Sequence, residues 1–243
     1  RSGEAVSRWD PDSPFNPEEL GHYAEGTLGG GAQGRNGLRA KTSRWTDGIV
    51  PYVIRDNFNQ ADLHMIDYAM REYRRQTCVK FVPRTTERDY LVITSSNTGC
   101  WSSVGRLGGP QELNLQSPGC LTKVGTVMHE MMHAIGFLHE QNRWERDQYV
   151  IINYSNIQPG RESNFEKAQK WTTDDQGVTY DYDSVMHYSA AAFSANGRPT
   201  ITPRHPIATL GQRDNLSKMD IQKIRRMYKC RKNTRRRNWF FFR

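Results

Sequence analysis

Eleven consecutive residues, His129-Glu130-Met131-Met132-His133-Ala134-Ile135-Gly136-Phe137-Leu138-His139, constrain the fold more tightly than any other part of this 243-residue chain. His129 and His133 stand at i and i+4, which on a helix puts both imidazoles on one face about a turn apart. That separation suits one ion bound through metal–nitrogen bonds of about 2 Å. The stretch is therefore read as part of a helix running from about Lys123 to Phe137. Gly136 can leave such a helix through a left-handed conformation without steric cost, so that His139 swings back to the same ion. Three histidines leave a coordination position open, which is the catalytic and not the structural arrangement for zinc. Glu130, beside the first ligand, is placed to take a proton from a water held there. A lone histidine is more often a core residue, and His64 and His205 are read that way. The full pattern arises by chance in roughly one chain in tens of thousands.

Around this helix the chain reads as a small mixed sheet with helices followed by an irregular half. Ile49-Val50-Pro51-Tyr52-Val53-Ile54 is strand-like, with its proline near the start. Leu63, Ile66, Met70 and Tyr73 recur at helical spacing in a segment expected to close near Gln76. Cys78–Val82 and Tyr90–Thr94 read as strands, and Gln111–Leu115 alternates as a half-exposed strand does. A last helix is expected from about Ser217 to Tyr228. The class is α+β, two lobes around one cleft.

Charge and cysteine usage narrow the setting. The net charge is +8, but residues 1–35 hold three Arg against six acids, and the stretch after Cys230 holds six cations and no acid. The body between them is only mildly basic, which excludes a nucleic-acid-binding face. No apolar run approaches the roughly 20 residues needed to cross a bilayer. The chain begins at Arg1 and is read as following a removed signal peptide. Cys78, Cys100, Cys120 and Cys230 form no C-x-x-C pair and point to two disulfides, with three pairings open on count alone. Sequons at Asn153 and Asn215 fit a secreted glycoprotein.

The eleven-residue pattern is the long metzincin signature, and Ser184-Val185-Met186-His187-Tyr188 looks like the methionine turn that accompanies it. The residues after the third histidine, Glu140-Gln141-Asn142-Arg143-Trp144-Glu145-Arg146-Asp147, resemble the pattern of the astacin family of secreted zinc metalloendopeptidases. One position departs, with Glu145 where Asp is usual, and the charge is kept. The resemblance runs from Trp45 to Gly211-Gln212-Arg213 and Cys230. It implies one zinc ion on His129, His133 and His139, Glu130 as general base, and Met186 beneath the site. It further implies a phenol from Tyr188 near the metal, and disulfides Cys78–Cys230 and Cys100–Cys120. His187 is no family ligand. By the same analogy, an extended peptide substrate adds to a sheet edge, for which Gln111–Leu115 is the candidate.

Residues 1–35, rich in Pro, Gly, Ser and acids, read as a propeptide without a core of its own, with structure beginning at Trp45 and a catalytic domain over 36–230. Family spacing puts the processed N-terminus at Asn36, directly after Arg35, which implies a trypsin-like activating protease. In astacins that terminus is buried against the residue equivalent to Glu140. Family propeptides carry F-x-G-D, whose Asp ligates zinc; here Ala24-Glu25-Gly26-Thr27 stands in its place, and Thr is a poor ligand beside a carboxylate. The basic and aromatic tail 231–243 could meet a polyanion or lipid headgroups. Pro199-Thr200-Ile201-Thr202-Pro203-Arg204 resembles the stretch that, in meprin-like members, sets a basic side chain at the pocket after the scissile bond. Arg204 there would favour acidic substrates. The competing reading, a catalytically inactive metzincin-like binding module, would show as loss of Glu130 or a ligand, and all four residues are intact.

Overall fold

The structure, a computed structural model, describes residues 2–20, 41–56, 58–171 and 173–231. Asn36, Arg35, Thr27 and all of the tail beyond Arg231 lie outside the described residues.

The chain opens with a short helix, α1 (Ser2–Ser7), and a 3-10 turn, Pro17–Leu20. Structure thus begins well before Trp45, and Val6 is buried in the main core. Strand β1 (Ile49–Ile54) leads into α2 (Gln60–Gln76). Asn59 caps that helix: its side chain accepts from Asp62 N at 2.9 Å while Asp62 accepts from Asn59 N, so two otherwise orphaned donors are paired. Ile66, Met70 and Tyr73 form its buried stripe. Strands β2 (Lys80–Pro83), β3 (Tyr90–Thr94), β4 (Cys100–Ser102) and β5 (Pro110–Leu115) complete a five-stranded sheet in the order β2-β1-β3-β5-β4.

All neighbours in that sheet run parallel except β4, which pairs antiparallel with β5. Gln111–Leu115 is consequently an interior strand. The edge belongs to β4, too short for any alternation to announce it. The Cys100–Cys120 disulfide ties β4 to the 3-10 turn Gly119–Leu121, which leads into α3 (Val124–Ala134). Every residue of α3 after Val124 is buried, as a helix enclosed by protein on all sides requires.

Past α3 a second apolar cluster forms around Phe165, Tyr188, Phe193 and Ile201. It includes a two-stranded antiparallel ribbon of β6 (Val150–Ile152) and β7 (Ile201–Pro203). Helix α4 (Lys218–Met227) returns to the first core through Ile224 and Met227. The Cys78–Cys230 disulfide fastens its far end beside β2. Two cores, the first containing α3 and the second formed by residues after it, give the two-lobed α+β architecture. His64 and His205 are not buried and belong to neither core.

Candidate metal centre and active site

Helix α3 ends at Ala134, and Gly136 takes φ +105°, a left-handed conformation that turns the chain back on itself. Two consequences follow for the metal site. The reversal sets the carbonyl of Phe137 2.8 Å from His133 Nδ1, and it delivers His139 to the two helical histidines. The three ligand-capable nitrogens lie within 4.8 Å of one another, and the rings of His133 and His139 are almost perpendicular.

Hydrogen bonds fix the tautomers. His129 Nδ1 lies 2.7 Å from the Val185 carbonyl, as His133 Nδ1 does from that of Phe137. A carbonyl can only accept, so in both rings Nδ1 carries the hydrogen and Nε2 the lone pair that a metal needs. Burial, joined by the charge of Arg213 and the neighbouring rings, holds His129 and His133 well below the ordinary imidazole range. The same burial, with Arg213 second, lowers His139 to about 3. All three are neutral at pH 7, which is the ligating state. Neutral imidazoles, fixed tautomers and a three-nitrogen set suit zinc. His129, His133 and His139 form a zinc-binding triad.

Glu130 is fully buried on α3 beside His129. The ring of Tyr188, also buried, stands 4.4 Å from that of His139, and its backbone N–H donates to Gln141 Oε1. Met186 lies in the main core between Val185 and His187, and its carbonyl accepts from Glu140 N. The methionine turn is pinned from below by α4. Asp220 accepts from Ser184 Oγ at 2.6 Å and from Val185 N at 2.9 Å, while closing the capping box with Ser217 at the start of that helix. One carboxylate therefore caps a helix and positions the carbonyl that orients His129.

Glu140 sits under the same turn. Its oxygens accept from Lys223 Nζ at 2.6 Å, Arg143 Nη1 at 3.0 Å and Asp181 N at 2.9 Å. Glu145, one methylene longer than the usual family residue, still reaches Arg143 Nε at 2.8 Å. Arg204 follows β7 on the exposed surface, where its Nε donates to the Asp147 carbonyl.

Several site residues are not evident from motif reading. His187 is buried between Tyr180 Oη and the Tyr188 carbonyl, and burial lowers it to about 4. Arg213 is buried with its Nη1 donating to the His187 carbonyl. Asp220 and Lys223 are buried polar residues on α4; the Ser217-x-x-Asp220 spacing signals the helix cap, but nothing local signals the contacts with Val185 and Glu140.

A zinc triad at this spacing, between two lobes and above a methionine turn, defines a metzincin-type protein. The profile of the Astacin peptidase family matches residues 37–229, and the chain belongs to that family. It is 45% identical over 188 residues to the zinc metalloproteinase nas-14 of Caenorhabditis elegans, covering 76% of this chain and 37% of the relative. It is 44% identical over 185 residues to high choriolytic enzyme 1 of Oryzias latipes, covering 75% of this chain and 67% of the relative. The solved structure of that enzyme, described as a hatching enzyme zinc-protease, matches with a TM-score of 0.74 at 41% identity. The match covers 81% of this chain and all of the other. The chain spans well under half the length of the nematode relative.

Proposed function

We propose that this chain is a zinc endopeptidase, made as a latent precursor, that hydrolyses internal peptide bonds of protein substrates outside the cell. The observation that carries the reading is the neutral histidine triad, the two helical rings fixed in tautomer, with Glu130 buried beside its first member. A zinc ion held by His129, His133 and His139 would supply a water of lowered pKa, from about 15.7 in bulk toward about 7, and Lewis-acid polarisation of the scissile carbonyl. Glu130 takes the proton of the attacking water and returns it to the leaving amine. The Tyr188 phenol, beside His139, donates to the oxygen on which negative charge develops. The substrate backbone runs along β4, the antiparallel edge strand, in place of the Gln111–Leu115 segment.

Residues 1–35 act as the inhibitory propeptide, and a trypsin-like protease cuts after Arg35 to release an N-terminus at Asn36. That ammonium joins Lys223 and Arg143 around Glu140. The two disulfides support an oxidising, extracellular setting, and no helix among the described residues is long and apolar enough to cross a membrane. Arg204 remains a candidate for acidic substrate preference, and the tail beyond Arg231 for a polyanion.

The reading is tested on the processed chain with a quenched peptide library. Chelation should abolish hydrolysis and added zinc restore it. Glu130→Gln should keep one zinc per chain while turnover falls about 10²- to 10⁴-fold. Hydrolysis that survives in metal-free protein would sink it.

A further inference from the structure

The acidic pair Glu18-Glu19, in a segment whose sequence promised no fixed structure, is buried against the catalytic body. Glu18 is fully buried, and its Oε1 lies 2.5 Å from both Nε and Nη2 of Arg213, 195 residues away in sequence. Glu19 accepts from Ser189 N at 2.7 Å and from Ser189 Oγ at 2.6 Å. Asn16 closes the group: its N–H donates to Glu19 Oε2, and its Nδ2 donates to the Gly211 carbonyl at 3.1 Å. Both anchor points adjoin the active site. Ser189 follows Tyr188, and Arg213 donates to the carbonyl of His187. Gly211 at φ +82° lets its loop press against Ser189, where a Cβ would lie 2.6 Å from the Ser189 Cα.

The Pro17–Leu20 turn also packs against β4 and the Gly119–Leu121 turn, on the opposite side of the cleft from Ser189 and Gly211. Upstream, Gln116 Nε2 donates to the Gly3 carbonyl at 2.6 Å, holding α1 to the first lobe. The segment therefore bridges the edge strand of one lobe and the residues after the methionine turn of the other. Buried carboxylates are not left in such a place without partners, because ionised groups out of water cost several kcal/mol unless paired and hydrogen-bonded.

We infer that Arg213 and Ser189 form a carboxylate-binding site for an acidic Glu-Glu peptide, and that Glu18 and Glu19 fill it in cis as the latch that keeps the precursor silent. Latency then does not need an acidic ligand at position 27, where the chain has Thr. A guanidinium and a backbone N–H paired with a hydroxyl are suited to two adjacent carboxylates, the first taking a charged fork and the second a two-donor cradle. This inference rests on the reading of residues 1–35 as a propeptide, and its test separates the two.

Wild-type chain and a Glu18→Gln/Glu19→Gln chain, each verified uncleaved by intact mass, are assayed on a quenched peptide before and after limited trypsin cleavage. Before cleavage the variant should hydrolyse about 10²-fold faster than wild type or more, the shift expected when a buried ion pair loses one partner. After cleavage the two should be equal, since the altered residues are gone. An uncleaved variant as silent as wild type, with both active after cleavage, overturns the latch and leaves the peptidase reading standing. If neither chain is active after cleavage, the peptidase reading fails, and the latch is decided by hydrogen exchange on uncleaved chains. Amides of residues 16–20 should exchange at least about tenfold faster in the variant, since those hydrogen bonds open more often. Unchanged exchange overturns the latch whatever the enzyme does. Glu18→Gln alone is read the same way should the double variant not fold.

Discussion

Glu140 shows how one buried side chain can hold a site it does not belong to. Burial alone would push its carboxyl up, but Lys223 and Arg143 overcome that and hold it below the ordinary carboxylate value. Its carboxylate is held by Lys223, Arg143 and the Asp181 N–H. Its work is to join α4, through Lys223, to the segment just after His139. Replacing it by alanine takes the hydrogen-bonded anion from buried Lys223 and leaves buried Arg143 with Glu145, so Glu140→Ala should lose about 3–5 kcal/mol of stability. Zinc stoichiometry should stay at one, because His139 is placed by the Gly136 reversal and not by Glu140. Denaturant midpoints and metal analysis check both halves; a zinc-free but equally stable variant would reverse the assignment. The contrast with Glu130 is instructive. Both are buried acids in or beside the motif, and at Glu140 the cations Lys223 and Arg143 fix an anion in a structural role.

At the scale of elements, what is legible depends on how local the cause is. The helix carrying His129 and His133 follows from spacing within one segment, as do α2 and the exit at Gly136. Strand β4 is three residues long and exists because β5 offers it a partner, so no periodicity within it could be read. The Pro17–Leu20 turn is less legible still. Its acids look like solvated propeptide charge until Arg213 and Ser189 arrive from the other end of the chain. That turn also carries a pH dependence. Burial, then the charge of Glu18, raises Glu19 to about 7, against the opposing pull of Arg213 and the Ser189 hydrogen bonds. A carboxyl raised on docking favours the docked state fully below its undocked value near 4.5, and that contribution fades as pH rises through about 7. The uncleaved chain should accordingly exceed the processed chain in thermal midpoint by more at pH 5 than at pH 8. Glu19→Gln, which cannot ionise, should flatten that difference; a gap that widens toward pH 8 would contradict the assigned cause.

Across the whole molecule, the catalytic geometry is held by contacts that converge on α4 from both lobes. Asp220 fixes the methionine turn and through Val185 the orientation of His129, while Lys223 holds Glu140. The helix is in turn held to the first lobe by Tyr228 Oη on the Ile135 carbonyl, by Arg225 Nε on the Gln76 carbonyl, and by the Cys78–Cys230 disulfide. That bond joins residues 152 positions apart, closing a loop over most of residues 36–230, so it removes much of the unfolded chain's freedom. Replacing both cysteines by serine should cost about 2–5 kcal/mol. The metal site should feel this more than the distance suggests, because loosening α4 releases the turn that orients the first ligand. In excess chelator, the Cys78→Ser/Cys230→Ser protein should therefore lose zinc faster than wild type at temperatures well below its unfolding midpoint. The Cys100–Cys120 pair closes a far shorter loop, between β4 and the turn before α3, and touches neither Asp220 nor Lys223. Its removal should lower stability without the same early loss of metal. Equal zinc retention in the two disulfide variants at matched distance below their midpoints would show that α4 does not transmit the constraint.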